Sequence, residues 1–195
     1  MKIGIVALSF GKVDRRTAVD PVNNALSSYV REANNQITTW SLTSQGDTRH
    51  SGYTETLVVA QHEIAAYLSG DPKLNLRIVT DAHATRKGSG RVYLDSQDVL
   101  NEAFRIFRKE DIYEVIVIAH PFLHSWMVRR LVQQAGFIIH PFKVGRDVNF
   151  DSSRNNLQWW CHGRVRFLLY LMIQMTGRVI GKDFHGIGER HGSLT

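Results

Sequence analysis

The residues with usable chemistry sit in short segments that follow apolar runs. The richest is His120-Pro121-Phe122-Leu123-His124, directly behind Glu114-Val115-Ile116-Val117-Ile118-Ala119. A second, Asp81-Ala82-His83-Ala84-Thr85-Arg86-Lys87-Gly88-Ser89-Gly90-Arg91, follows residues 75–80. If these segments meet, Asp81, His83, His120 and His124 form a carboxylate–imidazole set suited to zinc, iron or manganese. Histidines in loops are more commonly solvated or locally hydrogen-bonded, so no metal ligand is assigned. Without a metal, His120 and His124 are proton carriers near neutral pH, fit for general acid–base work.

Anion-binding candidates come from other segments. Ser9-Phe10-Gly11-Lys12 is a small-residue turn whose backbone N–H groups can hold an anion. It lacks the glycine spacing of a dinucleotide fingerprint and the Walker lysine. The polar stretch from Thr43 to Gly52 offers Ser44 and Gly46, with glycine permitting close backbone approach to a ligand. Glu55 opens the next predicted helix, where a carboxylate complements the helix dipole. Asp95 or Ser96 can cap a later helix that carries Asp98 in its first turn. Arg129 and Arg130 form an adjacent pair able to clamp phosphate or carboxylate. Covalent chemistry finds no Gly-x-Ser-x-Gly elbow. Cys161, beside Trp159 and Trp160, reads as a buried inert thiol.

The elements that must position these residues follow from hydrophobic period. Strands are predicted over 3–8, 36–42, 75–80, 114–119 and 137–142. The segment 36–42 is rich in β-branched and aromatic types, and 114–119 has the near-continuous apolar run of a strand covered on both faces. Helices are predicted after Asp20-Pro21, over 54–69, from Asp95 or Ser96 to Phe107, up to Ala135, and over about 156–177. A polar tail, 181–195, follows. This βαβαβαβαβα alternation implies one domain over 1–195, a doubly wound α/β fold with a mainly parallel five-stranded, Rossmann-like sheet and helices on both faces. Such sheets bind ligands beyond the carboxyl ends of their strands, where strand order reverses.

Composition bounds the partners. The 195 residues are 43% hydrophobic and 22% charged, a globular balance. Lys+Arg minus Asp+Glu is 24 − 18 = +6, and seventeen of the basic residues are Arg, which suits an anionic partner. The basic residues are scattered among carboxylates, and no nucleic-acid-binding signature occurs, so no nucleic acid is expected. A single cysteine excludes an internal disulfide and fits a reducing, cytoplasmic setting. Residues 3–8 are too short for a signal peptide, and Phe167–Ile173 falls far short of a membrane span of ~20 residues, so a soluble chain is expected.

The layout resembles the YdcF/SanA/ElyC family, a bacterial domain largely of unknown function. Ser9-Phe10-Gly11 echoes the family's glycine-rich first turn. Ser44-Gln45-Gly46 and Glu55 stand where the family has Ser-Gly-Gly and a helix-opening Glu. Asp95-Ser96-Gln97-Asp98-Val99 resembles its Asn-Thr-x-Glu-Asn, with every polar type altered. His124 matches the family's aromatic-His after the fourth strand, whereas its Arg falls on Met127, leaving Arg129 or Arg130 as substitutes. The resemblance implies a Rossmann-like sheet with a ligand cleft over the strand ends and, from a soluble branch, S-adenosylmethionine as a possible cofactor. The expected role is binding of a small anionic or nucleotide-like ligand by Ser9, Gly11, Ser44, Gly46, Ser96, Asp98, His124 and Arg129 or Arg130, with Glu55 beside them. One alternative is a His124-dependent, metal-assisted enzyme with Asp98 as a base, acting on a phosphate- or sugar-containing cell-envelope precursor. Another is an interaction subunit that uses the C-terminal apolar helix, as in a homo-oligomer.

Overall fold

A computed structural model describes residues 2–10, 20–43, 55–83, 87–88, 91–92, 94–145, 148–150 and 158–179. Five parallel strands form the central sheet: β1 (Lys2–Ala7), β2 (Glu55–Gln61), β3 (Leu76–Val79), β6 (Glu114–Ile118) and β7 (Ile138–Ile139), in the order β3-β2-β1-β6-β7. Two-residue strands β4 (Lys87–Gly88) and β5 (Arg91–Val92) pair separately and antiparallel. The helices are α1 (Pro21–Thr43), α2 (His62–Leu68), α3 (Ser96–Lys109), α4 (His124–Gln134) and α5 (Arg164–Val179). This is the doubly wound, Rossmann-like α/β fold. Strand order reverses between β1 and β6, which places the switch point at residues 8–10 and 119–124.

Each strand of the sheet's centre is apolar on both faces. From β1, Ile3, Ile5 and Ala7 pack against α1, α2 and α5 through Leu26, Val30, Ile64 and Phe167. Val6 and Leu8 face α3 and α4 through Leu100, Phe104, Phe107 and Val128. Gly4 is required for close approach, since a Cβ there would lie 2.8 Å from the Phe107 ring. Asp20 caps α1: its Oδ1 accepts from the N–H of Val22 and Asn23, both at 2.9 Å, with Pro21 at the first helical position.

Four expectations need correction. Residues 36–42 are not a strand but the last turns of α1. Ile37 continues the buried stripe of Val30 and Ala33, while Thr38 and Thr39 donate to the carbonyls of Asn34 and Asn35. That back-bonding makes β-branched threonines tolerable inside a helix. Residues 54–69 are not one helix but β2 followed by α2. The fully buried run Leu57-Val58-Val59-Ala60 satisfies helical and buried-strand patterns alike. The last helix begins at Arg164, after a 3-10 turn at Trp159–His162, and β7 covers only two of the six residues expected. No helix among the described residues is long and apolar enough to cross a membrane.

Candidate functional site

The switch point brings together the first turns of three helices. Ser96 is the first residue of α3, His124 the first of α4, and the Ser96 Oγ lies 3.2 Å from His124 Nε2. His120, at the end of β6, stacks on Phe10 at 4.0 Å between ring centroids, with Phe150 at 4.6 Å. Phe167, in the first turn of α5, meets Phe10 at 5.3 Å, and the Arg164 guanidinium lies 5.7 Å over Phe122.

The backbone entering α4 is strained. Leu123 has φ 52° and ψ −35°, and the His124 N–H turns back to the Phe122 carbonyl at 2.5 Å. A bulky residue in this γ-turn-like conformation costs on the order of 1–3 kcal/mol, and such strain clusters at functional sites. Its effect here is to aim the start of α4 at α3.

Both imidazoles are neutral. Burial pushes His124 down to about 4. Burial, the neighbouring His124 and the Arg164 charge push His120 down to about 3, against a smaller opposite effect of the Phe122 and Asn149 backbone. Protonating either would place a cation in an apolar surround and, for His124, at the positive end of a helix. The Phe122 N–H donates to His120 Nδ1 at 3.3 Å. His120 Nε2 and His124 Nδ1 are buried and find no hydrogen-bond partner among the described residues.

The candidate residues distribute unevenly over this geometry. Ser96 and His124 meet directly, and Ser9 follows β1 at the same sheet end. Its N–H, however, donates to Gln61 Oε1 at 3.2 Å, and that of Phe10 to Asn23 Oδ1 at 2.9 Å. These two donors are therefore engaged and do not form an open phosphate cradle. Asp98 is buried and closes a capping box with Asp95: its N–H donates to Asp95 Oδ1 at 2.8 Å, and its Oδ2 accepts from the Asp95 N–H. That accounts for its burial without a catalytic role. The box leaves the N–H groups of Ser96 and Gln97 at the open end of α3.

Glu55 departs from expectation. It begins β2 rather than a helix, so it stands at the amino end of the sheet, 4.0 Å from Lys2 and opposite His124. A polar hollow of about 340 Å³ lies there too, lined by Asn34, Glu55, Thr56 and Lys73. Asn34 is hydrogen-bonded to Thr56, and its amide reaches the Lys73 carbonyl. Arg129 reaches the Phe142 carbonyl, and Arg130 lies over its own neighbour Trp126. His83 turns to Thr80 and Glu102 rather than to His120. The side chain of Asp81, and Gly11, Ser44 and Gly46 altogether, lie outside the described residues. Among the described residues no group of three or more His, Cys, Asp or Glu is placed to hold a metal ion.

Sequence reading missed Arg164, whose charge acts on His120, and the pair His62–Glu63, whose Nε2 and Oε1 are 3.2 Å apart beyond the end of β2. Reading Leu57–Ala60 as a strand would have put Gln61-His62-Glu63 at a strand's carboxyl end. Arg164 carried no such signal, because only the packing of Phe167 on Phe10 brings it there.

Compared with known proteins, the chain matches no family model, and no curated protein or solved structure is significantly similar to it.

Proposed function

We propose that this protein binds a small anionic or nucleotide-like ligand over the carboxyl ends of β1 and β6, with Ser96, His120, His124 and Arg164 at the site. The resemblance to the YdcF/SanA/ElyC family adds S-adenosylmethionine to the ligands worth testing. One observation carries the reading. Two neutral imidazoles, each more than nine-tenths buried, lie where strand order reverses, and His124 Nδ1 has no hydrogen-bond partner among the described residues. A buried polar group left unpaired costs about 1–3 kcal/mol, which a bound ligand offsets by hydrogen bonding. The open end of α3 and the Arg164 guanidinium favour negative charge on that ligand.

The Ser96–His124 hydrogen bond favours a second, enzymatic reading, in which His124 withdraws the Ser96 proton. Its basicity argues against this: an imidazole at about 4 is a weak base at neutral pH. Nor does a described carboxylate reach Nδ1 to steady an imidazolium.

The test is a thermal-shift and calorimetric screen of S-adenosylmethionine, nucleotides, sugar nucleotides and inorganic phosphate. At about 100 times its dissociation constant a ligand stabilises the fold by ~2.7 kcal/mol, a rise in Tm of several degrees. Ser96→Ala and His124→Gln should weaken the hit at least tenfold. Silence across the panel, or a hit that both variants bind normally, would discard the assignment.

A further inference from the structure

Helix α5 is apolar on two sides. Its inner side sets Phe167, Tyr170 and Leu171 on the core. Its outer side carries Val165, Leu168, Leu169 and Met172, which are 79, 44, 50 and 66% exposed. These four recur at i, i+3, i+4 and i+7 and so form one continuous stripe. Among the described residues the other large exposed apolar side chains, Ile78, Tyr113, Trp126 and Ile138, are spread over separate elements. An exposed apolar stripe of this kind on one helix face marks an interaction surface.

Charge identifies what covers it. Residues 164–179 contain Arg164, Arg166 and Arg178 and no carboxylate. Arg164 and Arg166 are exposed in the first turn, where the helix dipole already presents positive charge. Gly163 precedes them and offers no capping side chain, and the first backbone bond of the helix runs from the Phe167 N–H to the Gly163 carbonyl. The N–H groups of the first turn therefore stand at an open helix end beside two guanidiniums, an arrangement that calls for anions. Self-pairing is opposed: two copies of α5, laid in either direction, set a helix with three arginines and no acid against itself.

We propose that α5 docks on an anionic lipid bilayer, its Val165–Met172 stripe entering the acyl boundary while headgroup phosphates take Arg164 and Arg166. Peripheral attachment of this kind combines buried apolar area with attraction to anionic lipid. It shares Arg164 with the ligand reading above, but the Val165–Met172 stripe and Arg166 carry it whether or not that reading holds.

The test is cosedimentation of the full chain with vesicles of phosphatidylcholine alone and of phosphatidylcholine mixed with phosphatidylglycerol. Binding is expected only to the mixed vesicles, and it should weaken as salt rises. Met172→Glu and, as a second variant, Val165→Glu should abolish it, with circular dichroism showing that each stays folded. Arg164→Gln with Arg166→Gln should lower partitioning about thirtyfold, roughly fivefold per guanidinium. The proposal is overturned if the wild-type chain ignores anionic vesicles, or if the glutamate variants, shown to be folded, still bind them. A concentration-dependent dimer in light scattering that Met172→Glu converts to monomer would also overturn it, by assigning the stripe to a second copy.

Discussion

Lowering the pH from 7 to 5 should unfold this protein far more readily than its carboxylates account for. In the unfolded chain both imidazoles titrate near 6.5, whereas in the fold burial holds His124 at about 4 and His120 at about 3. Between about 6.5 and 4 the unfolded chain therefore binds up to two more protons than the native one, so stability rises with pH across that window. The loss begins as pH falls below about 6.5 and is complete only below the folded values. At pH 5 each imidazole removes about 2 kcal/mol, roughly 4 together, against a usual total of about 5–15. Glu102 and Glu110, held below the ordinary carboxylate range by Arg105 and Lys2, act only in more acid solution. Urea unfolding at pH 7, 6 and 5 measures the effect directly. His124→Gln, whose amide still reaches Ser96, should remove about half the pH dependence. His120→Asn, whose carbonyl can accept the Phe122 N–H as Nδ1 does, should remove most of the rest. A midpoint that stays constant from pH 7 to 5 would refute the reasoning, as would an undiminished slope in the double variant.

Two further outcomes concern the frame that holds the site. Gly4→Ala drives a methyl to 2.8 Å from the Phe107 ring and should cost about 1–3 kcal/mol by urea melt, part of it regained in Gly4→Ala/Phe107→Leu. Asp95→Ala removes one side of the capping box of α3 and should cost about 1 kcal/mol, with faster amide exchange at Asp98 as the local readout.

How far the fold was legible depended on where two patterns compete. The strand Glu114–Ile118 and the capped start of α1 at Asp20-Pro21 were readable, because a β-branched run and a cap leave little choice. The stretch from 36 to 69 was not. Thr38 and Thr39 have strand propensity, but their hydroxyls bond to carbonyls four residues back and Ile37 belongs to the buried stripe of α1. Leu57–Ala60, covered on both faces, has no alternation to mark it as a strand. The parallel sheet still emerged with five strands, since one misplaced strand replaced another in the count. Glu55 shows the consequence for the site: moved from a helix to the start of β2, it changes ends of the sheet. His124 and Ser96 could be placed at strand and helix ends from sequence, but their contact depends on α3 lying against β1–β3 while α4 lies against β6, a non-local fact.

The engaged N–H groups of Ser9 and Phe10 set the described start of the segment after β1 apart from a dinucleotide cradle. In such a cradle the backbone N–H groups of the first turn point at the pyrophosphate, and small residues keep the approach clear. Here Gln61 and Asn23 take the N–H groups of Ser9 and Phe10, and the Phe10 ring covers His120. A phosphate entering over β1 would have to displace two side-chain acceptors, one of them on the fully buried Asn23. On the proposed reading the ligand's negative charge is received at the open end of α3 and by Arg164, with the neutral imidazoles giving or accepting single hydrogen bonds. On that reading the ligand carries a compact anionic group and a hydrogen-bonding edge.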